Sequence, residues 1–137
     1  MLTSVDIKVK DSQSLQAFLE SQDFVIDNLS PSVCKITRHE ELPVFIQKEG
    51  QSLFFEVDLG NVSAIANEEF YFKCLDLNTE ILPVSIGIDR TNSEDPRLVL
   101  VESREVQNLD DNEILSVIDA LELATDRVEA LLQEYMN

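Results

Sequence analysis

Nine apolar positions near the end of the chain, Ile114, Val117, Ile118, Leu121, Ala124, Val128, Leu131, Leu132 and Tyr135, recur at three- and four-residue spacing. That period puts them on one face of a long helix. Asp110 followed by Glu113 makes a capping-box-like start for it. Earlier in the chain, Asp11 or Ser12 caps a helix running to about Gln22, in which Leu15, Phe18 and Leu19 form the buried stripe. Val5, Ile7 and Val9 alternate with polar residues, which suits a short strand or an ordered arm. Three short strands are predicted near Val33 to Arg38, Pro43 to Lys48 and Ser52 to Leu59. Glu49 and Gly50 separate the last two, where glycine supplies the positive φ of a tight hairpin.

A second helix is predicted from about Ala64 or Asn67 to Leu77. Pro83 then opens a strand, Val84 to Asp89, with Val84, Ile86 and Ile88 on one face. Arg90 to Asp95 reads as a polar loop ending at Pro96, and Arg97 to Val106 as the fifth strand. The order is helix, three strands, helix, two strands, helix. Short, mostly hairpin-connected strands predict an α+β fold, an antiparallel sheet with helices packed on it.

The second helix is too apolar for one packing face. At about 100° per residue, Phe70, Tyr71, Phe72, Cys74, Leu75 and Leu77 cover an arc of roughly 220°. A helix resting on its own sheet needs a stripe little wider than about 100°. A single sheet layer with three helices offers few second walls, so part of the arc is expected to meet a second subunit.

Composition narrows the function classes. A chain of 137 residues with 44% hydrophobic residues suits one domain with one core. Its net charge of −17 opposes phosphate, so nucleic acid and anionic membranes are disfavoured and cationic partners favoured. The acidity is uneven: residues 75 to 137 hold 15 acidic and 4 basic side chains, against 12 and 6 in residues 1 to 74. Most of it is read as a solvated face that keeps the protein soluble. No apolar run has the length of a secretory signal or a membrane span, which predicts a cytosolic protein with no direct membrane insertion.

Candidates for chemistry are few. Cys34 and Cys74, 40 positions apart, match neither a zinc set nor a disulfide scaffold and are read as reduced core residues. His39, beside Glu40 and Glu41, is the one histidine in the sequence, and no HExxH spacing supports a metal. On an extended segment Cys34 and His39 point to opposite faces, which disfavours a nucleophile and base pair. Asp110 to Glu113 lacks the glycine and the distal glutamate of a calcium loop, so capping explains it better. Gly50, Gly60 and Gly87 stand singly and build no phosphate loop. No catalytic residue, metal or cofactor is predicted.

The element order, the acidity and the long C-terminal amphipathic helix resemble the class I type III secretion chaperones over nearly the whole chain. Leu82, Pro83, Ser85, Gly87 and Ile88, then Leu123, Ala124, Asp126, Val128, Glu129, Ala130 and Tyr135, resemble an uncharacterised bacterial family typified by YjfI. Ile86 departs from an asparagine expected there, and Val101 and Glu102 from a phenylalanine and a glycine. The chaperone resemblance implies a homodimer joined through the second helix and the adjacent strand, with Phe70, Tyr71, Cys74, Leu75, Val84, Ile86 and Ile88 at the contact. It also implies a protein client held extended over apolar patches. The YjfI-like resemblance implies a relative of phage shock protein A as a second candidate partner.

The leading expectation is therefore a non-enzymatic, dimeric, chaperone-like binding module for a protein client. The alternative is a regulatory or adaptor protein in an envelope-stress system. An enzyme using an acidic cleft ranks last, because the sequence carries a lone histidine and no nucleotide or metal motif.

Overall fold

The computed structural model describes residues 14–136. Their elements are α1 (Leu15–Ser21), β1 (Val25–Ser30), β2 (Val33–Thr37), β3 (Val44–Glu49), β4 (Ser52–Asn61), α2 (Glu68–Asn78), β5 (Ser85–Asp89), β6 (Arg97–Glu105) and α3 (Asp111–Gln133). The strands form one antiparallel sheet in the order β1-β2-β3-β4-β6-β5. The α+β class, with helices on an antiparallel sheet, is as expected.

Register partners share a face of the sheet, so the pairing sorts the strands' side chains. Cys34, Ile46, Phe55 and Glu102 are paired in turn across β2, β3, β4 and β6, and Val57, Leu100 and Ile86 across β4, β6 and β5. These residues face inward. The apolar ones join Leu15, Phe18 and Leu19 of α1, Phe70, Cys74 and Leu77 of α2, and the α3 stripe in one core, with Ile86 half-buried against it. The opposite face carries Lys35, Phe45, Glu56 and Val101, also paired in turn.

α3 begins with the capping box that Asp110 and Glu113 predict. Asp110 Oδ1 accepts from the Glu113 N–H at 2.8 Å, and Glu113 Oε2 accepts from the Asp110 N–H at 3.2 Å. α2 is capped by Asn67, whose Oδ1 accepts from the Phe70 N–H at 2.8 Å. Beyond α3, Tyr135 meets Phe70 edge-on, with ring centroids 5.3 Å apart, and so ties the chain end to α2. The β3–β4 hairpin turns at Gly50 with φ 60°, as expected. Gly60, at φ 101°, follows a register shift that carries β4 past Leu59 to Asn61.

Two expectations are corrected. The N-cap of α1 is Ser14, whose Oγ accepts from the Ala17 N–H, rather than Asp11 or Ser12. Those two residues and the alternating Val5 to Lys10 segment lie outside the described residues. The second correction is a strand: β1 adds a fourth member to the first run, making six among the described residues. It is an edge strand whose residues are exposed apart from the half-buried Ile26, so it has no buried alternation to betray it.

Candidate functional site

The predicted contact elements, α2 and β5, lie together at one edge of the sheet. Asn78 fixes their relation, because its Oδ1 accepts from the Ile86 N–H at 2.6 Å. Tyr71, Leu75 and Asn78 follow an i, i+4, i+7 line along α2. Tyr71 and Leu75 therefore lie on the same side of the helix as Asn78.

The wide apolar arc of α2 divides in two. Phe70, Cys74 and Leu77 are buried in the subunit's own core, whereas Tyr71, Phe72 and Leu75 are exposed, the last two by 72% and 68%. The strand side divides likewise. Val84 is fully buried, Ile86 half-buried, and Ile88 exposed at the sheet edge. Of the seven residues expected at a subunit contact, Phe70, Cys74 and Val84 are thus core residues of one subunit. Tyr71, Leu75, Ile86 and Ile88 remain accessible. Sequence reasoning missed Leu82, 72% exposed after α2, and Leu123, 68% exposed on α3. They flank a groove of about 350 Å³ floored by Ile81, Ala120 and Ala124 and edged by the Glu80–Arg127 ion pair at 3.2 Å. Leu123 lies on the side of α3 away from its buried stripe, and that break in periodicity was the available signal.

The groups with reactive chemistry do not converge. Cys34 is buried on the inner face, and burial pushes its thiol up to about 11. Cys74 is buried too and its thiol is also raised, as burial disfavours the thiolate. His39 is exposed in the turn after β2, with φ 55°. Among the described residues no group of three or more His, Cys, Asp or Glu is placed to hold a metal ion. No described helix is long and apolar enough to cross a membrane.

The surface is acidic with local pairing. Arg97 bridges Asp58, at 3.2 Å, and Asp95, at 3.4 Å, across the β4–β6 end of the sheet. Hydrogen bonding from Asn61 at 2.7 Å is the main cause holding the Asp95 carboxyl below its usual range, with Arg97 adding to it. Arg38 stacks over Phe24 at 4.2 Å and pairs with Glu122 of α3 at 3.3 Å. Such contacts fasten elements together.

The sequence matches the CesT_Tir_1 family over residues 8–137. The chain belongs to that family. Its fold is also similar to a chain of the heterodimeric ExoU–SpcU complex from the type III secretion system of Pseudomonas aeruginosa. That likeness has 18% identity and a TM-score of 0.69, and covers 85% of this chain and 96% of the other. A second similar structure is YbjN, a putative transcription regulator from E. coli, at 11% identity and a TM-score of 0.64, covering 88% of this chain and 87% of the other. Among curated proteins none matches the sequence. The CesT_Tir_1 membership accords with the secretion-chaperone-like fold expected from the element order. It does not extend to the YjfI-like likeness, which no comparison addresses.

Proposed function

We propose that this CesT_Tir_1 member is a non-enzymatic, cytosolic, homodimeric protein-binding module that holds a protein client. The observation that carries the dimer is that Tyr71 and Leu75, on the same side of α2 as Asn78, are exposed, as is Ile88 on β5, the strand that Asn78 bonds to. A two-fold contact lets one self-complementary patch cover itself. The α3 groove flanked by Leu82 and Leu123 is a separate apolar surface, available to a client in each subunit. The fold similarity to a chain from the ExoU–SpcU complex supports a partner-holding role for the architecture.

Light scattering at micromolar concentration tests the dimer. The expected mass is twice that of the 15.5 kDa chain. Tyr71→Glu and Leu75→Glu each place an unpaired charge in the contact, at a cost of several kcal/mol per subunit, and give monomers. A wild type with the mass of one chain overturns the dimer. The client role is tested by pull-down from the native host with Leu82→Asp and Leu123→Asp. A client retained equally by both variants and the wild type removes the α3 groove from that role.

A further inference from the structure

The outer face of the sheet has a chemistry that the α2 and α3 surfaces lack. The buried residues of all three described helices join the inner core. The outer face keeps Phe54 and Val101 exposed and Val33 and Phe45 half-buried, around a groove of about 390 Å³. These four come from β2, β3, β4 and β6, so the groove crosses the strands.

Glu56 sits within that apolar surface, with register partners Phe45 on one side and Val101 on the other. Its carboxylate is half-buried and makes no ion pair or hydrogen bond among the described residues. Burial raises its pKa, and the negative charges of Asp89 and Asp58 raise it further. The nearby cation Arg97 is already engaged by Asp58 and Asp95. A carboxylate half-withdrawn from water, crowded by like charges and bordered by aromatic side chains has no cation paired with it among the described residues.

We propose that this outer face binds a polypeptide segment that seats a lysine or arginine on Glu56 and lays apolar side chains against Phe45, Phe54 and Val101. The inference rests on the protein-binding reading and adds the chemistry of the bound segment. An incoming cation relieves the repulsion at Glu56, while the flanking apolar residues exclude water and strengthen the pair. Charge alone selects nothing on a chain of net −17, so the selectivity lies in the combination.

The test uses the full chain and a labelled peptide alternating leucine with lysine, followed by fluorescence anisotropy and by backbone amide shifts. Glu56→Gln is expected to weaken binding about tenfold, while Glu129→Gln, the same charge loss on the exposed side of α3, changes it little. Phe54→Ala is expected to weaken it as well, and the shifted amides to fall in β3, β4 and β6. Equal losses in Glu56→Gln and Glu129→Gln mean attraction to bulk charge and overturn the proposal. Amide shifts confined to α2 and β5, or a change of oligomeric state in Phe54→Glu, overturn it too, the latter by assigning the face to a second copy. A client that binds wild type and Glu56→Gln equally sinks this inference while leaving the protein-binding reading intact.

Discussion

The Asn78 side chain accepts a 2.6 Å hydrogen bond from the Ile86 backbone N–H, so the last residue of α2 satisfies a donor on the outermost strand of the sheet. Among the described residues β5 pairs only with β6, and alternate residues of an antiparallel edge strand direct their backbone groups away from the neighbour. An open edge of this kind is a template for unwanted pairing. Asn78 closes part of it and fixes how α2 lies beside the strand.

Asn78→Ala is accordingly expected to cost about 1 to 2 kcal/mol, the price of leaving a half-buried donor unsatisfied. Hydrogen exchange at the Ile86 amide accelerates in the variant more than exchange at Leu100, its register partner. Unchanged protection at Ile86 would show that water replaces Asn78 without loss.

The helices were more legible than the sheet edges, for a physical reason. α3 announces itself through its stripe and its Asp110–Glu113 box, because burial and capping both act on local sequence. β1 leaves no such trace: Asp27, Asn28 and Ser30 are exposed, and the strand is held by pairing with β2, a tertiary fact. At the candidate site the sequence revealed that α2 is too apolar for one wall. It did not reveal which half of the arc its own subunit covers. Phe70 and Tyr71 are neighbours with similar side chains, and only the position of Tyr135 and the sheet decides that Phe70 is buried and Tyr71 exposed.

Asp110→Ala removes one half of the reciprocal cap at the start of α3. The expected loss is about 0.5 to 2 kcal/mol. Glu113→Ala should cost less, since the Asp110 carboxylate still accepts from the residue 113 N–H. Urea denaturation of both variants checks the order, and a larger loss in Glu113→Ala would contradict the geometry.

Leu121 is fully buried at the middle of α3. Its truncation to alanine should destabilise the fold by roughly 2 to 5 kcal/mol. A change below about 0.5 kcal/mol, well outside the range for a buried leucine, would mean that the stripe is not core.

Both thiols should be silent in the native protein at neutral pH. Burial hides Cys34 and Cys74, and each pKa is raised, that of Cys34 to about 11. Thiol-reactive dye added without denaturant is expected to label neither at a rate above that of global opening. Fast labelling of Cys74 would show that α2 separates readily from the core.

Glu102 supplies the pH dependence that is easiest to isolate. It lies on the inner face of β6 opposite Phe55, with 6% of its surface exposed. The Arg104 guanidinium rests against its carboxylate, yet no donor among the described residues makes a well-angled hydrogen bond to it. Burial raises the Glu102 pKa above the ordinary 4.5, and the attraction of Arg104 offsets that only in part. A carboxyl whose pKa is higher in the folded than in the unfolded state binds protons more tightly when folded. Its contribution to stability is therefore greatest at low pH and declines as pH rises from about 4.5 through the raised value. Glu102→Met removes the carboxylate at similar volume and leaves the partly exposed Arg104 free to reach water. At neutral pH the variant should match or exceed the wild type, by about 1 kcal/mol or more. That advantage should shrink as the buffer is taken toward about pH 4, where the wild-type carboxyl is neutral. Urea midpoints measured on both proteins across this range decide the matter. A variant less stable at neutral pH and relatively better in acid would show that the Arg104 attraction outweighs desolvation, reversing the sign argued here.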